Sequence, residues 1–551
     1  SLKRSYRNIL NKDIETQVKW VFLYGNFDLI KQRCEKRQHF MPSSLLQSQF
    51  ETLEEPIEAI KAAITFQPEE IVALVKTELL DKSEFGVIGL GVMGTSLARN
   101  LASHDFQISI FNRHVNQTEV DIALNAVKDY KELSNAKPFD DLKDFIDSLQ
   151  RPRKILLMVN AGKAVDAVIE NLIPLLEEND VIIDGGNSHY EHTFDRSKYL
   201  KKHRVYFIGA GISGGEEGAL NGPSIMPSGN ENGYNLLKPF LEKIAAKDKN
   251  YKPCCTYIGP QGSGHFVKMV HNGIEYAEMQ LLAEVYFILK NSGKSPDEIS
   301  LILEGWKSKA NSYLIEITID ILRKKEGDHW LIDKILDQSG NKGTGNWATV
   351  ASAELGIPST MISSALFARY ISSFKDRRKA ISEKYQNLTK TEVDISKEEL
   401  FAAYQFARLI NHAQGFSLLQ ESSTAYQWNL NLSEIARIWT NGCIIRSDLM
   451  EALVSILENS EDILLEGSIY SQIKNLYPHT KELISKCILH EIPIPCLSEA
   501  VNYFNGYKTQ NSSANLIQAQ RDYFGAHRYQ RIEGPSGKSY HTNWKKTKTD
   551  D

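Results

Sequence analysis

The sequence predicts an α/β fold with a doubly wound, mostly parallel sheet, followed by a large all-helical domain and an extended C-terminal tail. From Glu84 onward, short apolar strands alternate with helical periods, which is typical of such a sheet. After Gly264 the strand signals nearly vanish, and helical periodicity continues to about Phe524. From Arg531 to Asp551 no periodic apolar face is present, so we expect a tail that orders only against a partner.

Length and composition limit the possible functions. A chain of 551 residues is too long for one core and suggests about three or four domains. Charged residues make up 24%, hydrophobic residues 42%, and the net charge is −5, which is ordinary for a globular protein. No apolar run approaches the roughly 18 residues needed to span a membrane. We therefore expect neither a nucleic-acid partner nor a membrane contact.

The six cysteines include no C-x-x-C pair and no cluster with histidine at zinc spacing, and the sequence shows no secretory h-region. We interpret them as reduced thiols of a cytoplasmic protein. Residue 1 is Ser rather than Met, and the first segment starts inside what looks like a helix. The chain is therefore expected to be a fragment of a longer one.

The elements divide the chain into four parts. Residues 1–80 form a small α/β unit with a strand at Val18–Tyr24, a helix at Phe27–Gln38 and a closing helix from Pro68 to Leu80. Residues 84–260 form the sheet domain, 261–526 the helical domain and 527–551 the tail. The expected strands of the sheet domain are Phe85–Leu90, Gln107–Phe111, Ile155–Val159, Val181–Asp184, Val205–Gly209 and Thr256–Gly259.

A glycine-rich turn follows the first of these strands. Gly89, Gly91 and Gly94 have the G-x-G-x-x-G spacing, and the turn runs through Val92 and Met93 into a helix. Such glycines let backbone N–H groups approach a pyrophosphate, which the positive end of the helix attracts. A lone motif of this kind is often only a turn, but the strand before it and the helix after it predict a Rossmann-type dinucleotide site.

The second strand ends at Phe111, Asn112 and Arg113, about twenty residues after the glycines, where NAD-binding proteins usually carry an acidic residue. No carboxylate stands at that position in the sequence. Arg113 can pair with a 2′-phosphate, and Asn112 would not repel it. NADP is therefore predicted over NAD, with Arg113 as an ordinary surface charge being the alternative.

The stretch Gly264–Leu282 carries the most informative pattern. Lys268, His271, Asn272, Glu275 and Tyr276 recur three and four residues apart, so they share one face of a helix whose other faces are apolar. An ordinary amphipathic helix with its polar side in water is the simpler interpretation. However, the segment has poor helix propensity and an interior glycine, which costs about 1 kcal/mol. We expect the stripe to face a site where Lys and Glu do proton chemistry.

From about Glu84 to Trp544 the chain resembles the 6-phosphogluconate dehydrogenase family, on five separate motifs. They are Ile183-Asp-Gly-Gly-Asn187-Ser188, Gly211-Ile-Ser213-Gly214-Gly215-Glu-Glu-Gly218, Gly264-His-Phe-Val-Lys268-Met-Val-His271-Asn272-Gly-Ile-Glu275-Tyr276, Lys342-Gly-Thr344-Gly and Ala519-Gln-Arg521-Asp-Tyr-Phe-Gly-Ala-His527. The resemblance implies oxidation of 6-phosphogluconate at C3 with reduction of NADP, loss of C1 as carbon dioxide and formation of ribulose 5-phosphate, without a metal. This is a step of the pentose phosphate pathway.

The resemblance also implies residue roles. Lys268 is the general base, and Glu275 is the acid that protonates the enediol. Implied substrate contacts are Asn187, Ser213, Gly214, Gly215, His271, Asn272 and Tyr276 around the carboxylate and hydroxyls, with Lys342, Thr344, Arg369, Arg521 and His527 around the phosphate. Val159 and Asn187 join the turn residues, Asn112 and Arg113 in the cofactor site. The last two phosphate residues and the tail reach the neighbouring subunit in the family, which implies a homodimer with tail exchange.

Four positions depart from the family pattern. His114 stands where Thr is usual, Asn160 where Lys is common, Asn341 where Gln is usual, and Gly91 where Ala is more frequent. We expect these changes to affect the cofactor preference more than the chemistry.

The N-terminal eighty residues resemble the lid and C-terminal half of a gluconate kinase. The resembling segments are Val21–Asp28 and Arg37–Pro56. A phosphate loop of the G-x-x-x-x-G-K-[ST] type is missing, and the nearest string, Gly537-Lys538-Ser539, has Ile532 in place of the first glycine. We therefore expect a kinase remnant that phosphorylates nothing by itself, and the parent chain could combine gluconate kinase and dehydrogenase.

Two alternatives remain open at this stage. One is a related β-hydroxyacid dehydrogenase that acts on an unphosphorylated acid, against which Lys342, Arg369 and Arg521 argue. The other is a kinase-centred transferase in which the dehydrogenase half is a dimerising scaffold, against which the missing phosphate loop argues.

Overall fold

The computed structural model describes residues 3–11, 18–36, 44–56, 59–80, 82–340, 343–385, 394–460 and 462–545. The N-terminal part contains a parallel pair of strands flanked by helices, which agrees in type with the predicted small α/β unit. Its elements are α1 (Arg4–Asn11), β1 (Val21–Tyr24), α2 (Phe27–Lys36), α3 (Ser44–Thr52), β2 (Ile60–Ala63) and α4 (Pro68–Leu80). Much of β1 is exposed, so this part has little core of its own.

The next part is built on a seven-stranded sheet in the order β5-β4-β3-β6-β7-β8-β9, in which only the pairing of β8 with β9 is antiparallel. The strands β3, β4, β6 and β7 are buried along their whole length, because helices cover both faces of a parallel sheet. The strands are β3 (Phe85–Ile88), β4 (Ile108–Phe111), β5 (Lys137–Phe139), β6 (Lys154–Leu157), β7 (Val181–Asp184), β8 (Tyr206–Ser213) and β9 (Ser224–Gly229). The helices are α5 (Val92–Ser103), α6 (Ile122–Asp129), α7 (Leu142–Asp147), α8 (Lys163–Leu172), α9 (Tyr190–Lys202), α10 (Gly215–Asn221) and α11 (Glu231–Ile244), with 3₁₀ turns at Lys131–Leu133 and Ile173–Leu175. The predicted Rossmann-type sheet is thus confirmed.

Two edges of this sheet differ from the prediction. Thr256–Gly259 is not a strand: it runs beside β9 and makes only isolated bridges. Regular pairing fails there because Pro227 of β9 accepts a hydrogen bond from the Ile258 N–H but has none to donate. The strands β5 and β9 were not predicted, since a proline lies within each, and such prolines are tolerated at sheet edges.

The third part is helical, and its core is organised around two long helices, α12 (Ser263–Asn291) and α18 (Lys397–Tyr426). Helix α18 starts with a capping box in which Ser396 and Glu399 satisfy each other's backbone N–H groups. The other helices are α13 (Pro296–Ala310), α14 (Tyr313–Arg323), α15 (Thr344–Leu355), α16 (Thr360–Ser373), α17 (Lys375–Lys384), α19 (Leu432–Ile438), α20 (Asp448–Asn459), α21 (Gly467–Leu489) and α22 (Pro495–Lys508), with 3₁₀ turns at Leu331–Lys334 and Ile463–Leu465.

This part is not purely helical, because a two-residue hairpin, β10 (Lys325–Glu326) with β11 (His329–Trp330), follows α14. The predicted dominance of helices is otherwise confirmed. None of the helices in the described ranges has the length and apolar character that crossing a membrane requires.

The C-terminal segment has more structure than a tail lacking an apolar face suggests. Helix α23 (Ala514–Gly525) is followed by an antiparallel hairpin of β12 (Tyr529–Gln530) and β13 (Ser539–Tyr540). The carboxylate of Asp522 is fully buried and organises this fold, since it accepts hydrogen bonds from the Trp544 and His541 rings and from two backbone N–H groups. The tail therefore contains a local hairpin that the sequence pattern did not indicate, and one buried carboxylate stands in place of the missing apolar face. That residues 531–551 order only against a partner stays a prediction.

Candidate active site

The predicted polar stripe lies on α12 and is buried. Lys268 and Asn272 are each 7% exposed, and His271 is fully buried. The side chain of Glu275 is 20% exposed, at the end of the stripe where it meets solvent. The stripe is therefore not an ordinary solvated face. Burying such polar and charged groups costs free energy unless hydrogen bonds or opposite charges offset it, which indicates a functional reason for their position.

Burial also sets the protonation of the two ionisable groups. It lowers the pKa of Lys268 below its ordinary value, and the nearby Glu275 carboxylate opposes this shift only in part. It raises the pKa of Glu275, against the opposing effects of Lys268 and then Arg369. Each group is thereby moved toward its neutral form, which suits Lys268 to accept a proton and Glu275 to donate one.

The catalytic helix packs directly on β8. A Cβ atom added to Gly211 would lie 2.4 Å from the Cβ of Lys268, and one added to Gly264 would lie 2.1 Å from the carbonyl oxygen of Met226. These positions therefore exclude any side chain. The absence of a side chain at Gly211 brings the backbone of β8 against Lys268, which places the lysine at the carboxyl end of the sheet.

His271 of α12 forms a hydrogen bond to Ser213 at the end of β8. The Nε2 atom of His271 lies 3.2 Å from Ser213 Oγ, and its Nδ1 atom lies 3.2 Å from Asn272 Oδ1. Burial and then the charge of Lys268 lower the pKa of His271 well below its ordinary value, so the imidazole is neutral. Gly214 and Gly215 follow Ser213 with φ values of +117° and +63°, and a Cβ added to Gly215 would meet no atom within 4 Å. The structure thus brings the Ser213–Gly215 turn beside the stripe, with open space next to it.

Asn187 is exposed and lies in the loop that follows β7. Two residues that the sequence analysis did not single out brace this loop. Asp184 accepts a hydrogen bond from Ser188 Oγ at 2.6 Å and forms a buried ion pair with Arg196 at 3.3 Å. The sequence did carry a signal for this ion pair, because Asp184 is an acidic residue at the end of an otherwise apolar strand.

The arrangement at Tyr276 brings further predicted residues together. The guanidinium of Arg369, on α16, lies 3.5 Å from the centre of the Tyr276 ring and donates to the Gly340 carbonyl oxygen at 3.4 Å. Thr344 begins α15, and a Cβ on Gly345 would lie 2.5 Å from Tyr276 Cε2. Lys342 lies outside the described residues. Arg369 and the start of α15 therefore border the Glu275 end of the stripe.

Arg521 and His527 lie in the C-terminal segment. Arg521 donates to Gln518 at 3.2 Å on the same helix, and the His527 ring packs edge-on against Phe524. Both contacts are local to the segment, so the side chains are held on its surface and not within the α12 cluster of the described chain.

The glycine-rich turn has the geometry that a pyrophosphate needs. Gly89 has a φ of +94°, and a Cβ added to Gly94 would lie 1.9 Å from the Gly89 carbonyl oxygen, so both positions require glycine. Beside Gly91, at the start of α5, an added Cβ would meet no atom within 4 Å. Val92 and Met93 form the first turn of the helix, and a Cβ added to Gly89 would lie 3.0 Å from Val159 Cγ1. The open space beside Gly91 therefore lies at the first turn of α5, where the backbone N–H groups of a helix favour a bound anion such as a pyrophosphate.

An acidic residue that the sequence analysis missed, Glu119, lies beside the end of β4. Asn112 Oδ1 accepts from the Leu90 N–H at 3.1 Å, and its Nδ2 donates to Glu119 at 3.0 Å. Arg113 forms an ion pair with the same Glu119 at 3.0 Å. No carboxylate follows β4 directly in the sequence, but the loop after β4 folds back through a bridge between Val115 and Glu119 and brings the Glu119 carboxylate to this place.

These features together define a dinucleotide-dependent dehydrogenase. The glycine-rich turn suits a dinucleotide, and at the carboxyl edge of the sheet burial shifts a Lys and a Glu toward their neutral forms beside an arginine. Comparison with family models matches residues 84–259 to the NAD binding domain of 6-phosphogluconate dehydrogenase, and residues 264–544 to its C-terminal domain. The chain belongs to the 6-phosphogluconate dehydrogenase family.

Individual relatives agree. The chain is 45% identical to a decarboxylating 6-phosphogluconate dehydrogenase of Buchnera aphidicola over 474 residues, which cover 84% of this chain and 98% of the relative. It is 43% identical to the enzyme of that name from Staphylococcus aureus, over 84% of this chain and 99% of the relative. The solved structure of Plasmodium falciparum 6-phosphogluconate dehydrogenase, described in its apo form and with NADP+ or 6-phosphogluconate, matches with a TM-score of 0.79 and 38% identity, over 84% of this chain and all of that one.

Proposed function

We propose that the α12 cluster carries out the oxidative decarboxylation of 6-phosphogluconate to ribulose 5-phosphate and carbon dioxide. The observation that carries this proposal is the buried Lys268 and Glu275 pair, whose pKa values are shifted in opposite directions. On an ideal helix, seven residues place the two groups about 10 Å apart along the axis, which leaves room for a sugar acid between them. Residues 84–260 hold the cofactor in this proposal, and residues 261–526 provide the acid–base groups and most substrate contacts.

Lys268 is the general base of the first step. Its neutral amine takes the proton of the C3 hydroxyl while the C3 hydrogen leaves as a hydride. The resulting ammonium then hydrogen-bonds to the 3-keto oxygen. When the C1–C2 bond breaks, its electron pair moves toward that oxygen, and Lys268 returns the proton to give an enediol. The buried position strengthens this electrostatic effect, because water does not screen it.

Glu275 is the acid of the last step. Its carboxyl proton goes to the enediol carbon that carried the departing carbon dioxide. The hydroxyl at the former C3 gives its proton back to Lys268, which forms the carbonyl of ribulose 5-phosphate. Burial keeps a fraction of this carboxyl protonated at a pH where an exposed glutamate would be ionised. Ser213, His271 and Asn272 orient the sugar acid in this proposal, because they present neutral donors and acceptors beside Lys268.

The cofactor is NADP, which accepts the hydride when it is bound. The residues present fit this group: the open space beside Gly91 and the first turn of α5 accommodate the pyrophosphate, and Arg113 supplies a cation for a 2′-phosphate. Val159 and the Asn187 loop, at the ends of β6 and β7, line the adjoining edge of the sheet. Asp184 and Arg196 hold that loop in place.

The substrate phosphate is bound by Arg369 together with Lys342, Thr344, Arg521 and His527, and the last two come from a second subunit. Two observations support a homodimer with exchange of the C-terminal segment. On α23, Leu516, Ile517 and Phe524 are 61%, 59% and 72% exposed. On α16 and just after it, Phe367, Ile371 and Phe374 are 54%, 60% and 57% exposed. Apolar surfaces of this kind typically mark protein interfaces.

A cytoplasmic location also belongs to this proposal. All six cysteines of the chain lie in described parts and are free. Burial raises the pKa of Cys254 to about 11 and that of Cys487 to about 12, so these thiols stay protonated and unreactive. Free, unpaired thiols are expected where the surroundings are reducing.

The decisive test measures NADPH formation when 6-phosphogluconate and NADP are added to the purified chain. In Lys268→Met we expect turnover to fall by a factor on the order of a thousand, because the base is lost. Cofactor affinity should change little. Lys290→Met is the matched control, since Lys290 lies on the same helix but forms an exposed pair with Asp333. Normal turnover in Lys268→Met, or no activity of the wild type with folded protein, would contradict the proposal.

Segment exchange is tested by mixing two inactive variants, Lys268→Met and Arg521→Ala, after dissociation and reassembly. If each site combines Lys268 of one chain with Arg521 of the other, a mixed dimer regains one complete site. Random reassembly should then restore about one quarter of the wild-type sites. If Arg521 serves the site of its own chain, each mixed dimer still has no complete site, and mixing restores nothing.

A further inference from the structure

We propose that Glu119 is a specificity-determining residue of the cofactor site, which competes with a 2′-phosphate for Arg113 and thereby limits the preference for NADP over NAD. This inference rests on the proposed cofactor site and concerns a residue that has no role in the proposed reaction.

The geometry of the Glu119 carboxylate is well defined. One oxygen lies 3.0 Å from Arg113 Nη2, and the other accepts from Arg113 Nε at 3.4 Å, so the guanidinium faces the carboxylate with two of its N–H groups. The second oxygen also accepts from Asn112 Nδ2 at 3.0 Å. Hydrogen bonds from Arg113 and then Asn112 lower the pKa of Glu119, so the carboxylate is charged at neutral pH.

The backbone fixes Glu119 in this place. The Glu119 N–H donates to the Val115 carbonyl oxygen, and the Val115 N–H donates to the Glu119 carbonyl oxygen, both at 2.9 Å. Asn112 connects the pair to the cofactor turn, because it also accepts the hydrogen bond of the Leu90 N–H. The carboxylate is therefore one side chain away from the glycine-rich turn, at the end of β4, where dinucleotide sites recognise the ribose.

The two cofactors differ at the group that this cluster would meet. A 2′-phosphate is an anion that needs the two guanidinium N–H groups now engaged by Glu119, and the carboxylate would repel it. A 2′-hydroxyl carries no charge and can donate a hydrogen bond to a carboxylate. Glu119 therefore acts against NADP and not against NAD. The Arg113 side chain is 73% exposed, so the pair is weak enough for a phosphate to displace.

The test is a binding titration by calorimetry on cofactor-free protein, with adenosine 2′,5′-bisphosphate and 5′-AMP as probes. Glu119→Gln keeps an acceptor for Asn112 and removes the charge. We expect the variant to bind the bisphosphate about five times more tightly, while its affinity for 5′-AMP changes less than about twofold. The ratio of kcat/KM for NADP to that for NAD should rise by a similar factor.

Glu132→Gln is a matched control. Glu132 pairs with Arg99 at 2.8 Å in the same part of the chain, and its side chain is 34% exposed, as is that of Glu119. It should leave the ratio of the two affinities unchanged. In an Arg113→Ala background, the effect of Glu119→Gln should fall to less than about half, since the competition acts mainly through Arg113.

The outcomes separate this inference from the proposed function. If the wild type binds the bisphosphate but Glu119→Gln changes both affinities by the same factor, or no more than Glu132→Gln does, the role of Glu119 is refuted and the cofactor site stands. If the folded wild type binds neither probe, the cofactor site and the role of Glu119 are both refuted.

Discussion

Helices α12 and α23 depart from the usual distribution of polar and apolar side chains in opposite ways. In α12, Lys268 and His271 are buried, although burial of such groups costs free energy. In α23, Leu516 and Phe524 are exposed, although their burial would be favourable. The first departure is what the proposed acid–base chemistry requires, and the second is what the proposed subunit interface requires. In each helix, the informative residues are therefore those whose burial or exposure does not match their polarity.

The largest effect in this comparison is expected at Glu275. In Glu275→Gln, kcat should fall about a hundredfold, because no acid protonates the enediol. Lys268 must be neutral to act, so activity rises with pH toward its lowered pKa, and Glu275 must be protonated, so activity falls as pH passes its raised pKa. The falling limb should be absent from the pH profile of kcat in the variant. A retained falling limb would assign it to another group.

A smaller effect is expected at Asp522, which holds the C-terminal segment together. In Asp522→Ala the donors of Trp544 and His541 lose their acceptor, so the hairpin of β12 and β13 should open more often. Limited trypsin digestion should cleave after Lys538 about ten times faster. Gln520→Ala, at an exposed position of the same helix, is the control. Equal cleavage of both variants would show that the carboxylate does not organise the segment.

The smallest effect is expected at Glu284, another buried group of α12. It accepts the backbone N–H groups of Cys496 and Leu497 at the start of α22, and burial raises its pKa to about 7. Because the folded state binds this proton more tightly than the unfolded state, the contribution to stability rises as pH falls from about 7 toward the ordinary value. Over that range, Tm of Glu284→Gln should change with pH by a few degrees less than that of the wild type.

Glu304→Gln is the control for this measurement, since Glu304 is exposed and pairs with Arg323 at the surface. The difference between wild type and Glu284→Gln should become independent of pH below about pH 4, where the carboxyl is mostly protonated in both states. A difference that is constant across pH would show that Glu284 stays ionised in the fold.

Local sequence patterns predicted the parts that depend on neighbours along the chain. The strand, turn and helix around Gly89 and the stripe from Lys268 to Tyr276 are both local, and the structure forms both. The acidic partner of Arg113 was missed because its position depends on how a loop folds back. The fold of the C-terminal segment was missed because a single buried carboxylate, Asp522, has no periodic signature. The kinase resemblance of the first eighty residues stays a prediction.

The contact of β8 with α12 has a mechanical consequence. Gly211 and Gly264 bring strand and helix so close that no side chain separates them, and His271 hydrogen-bonds across the joint. Such a joint resists rotation of one part against the other, because any tilt would press backbone atoms together. Strand and helix therefore move as one body at this contact, and the position of Lys268 relative to the carboxyl edge of the sheet is fixed by the backbone itself.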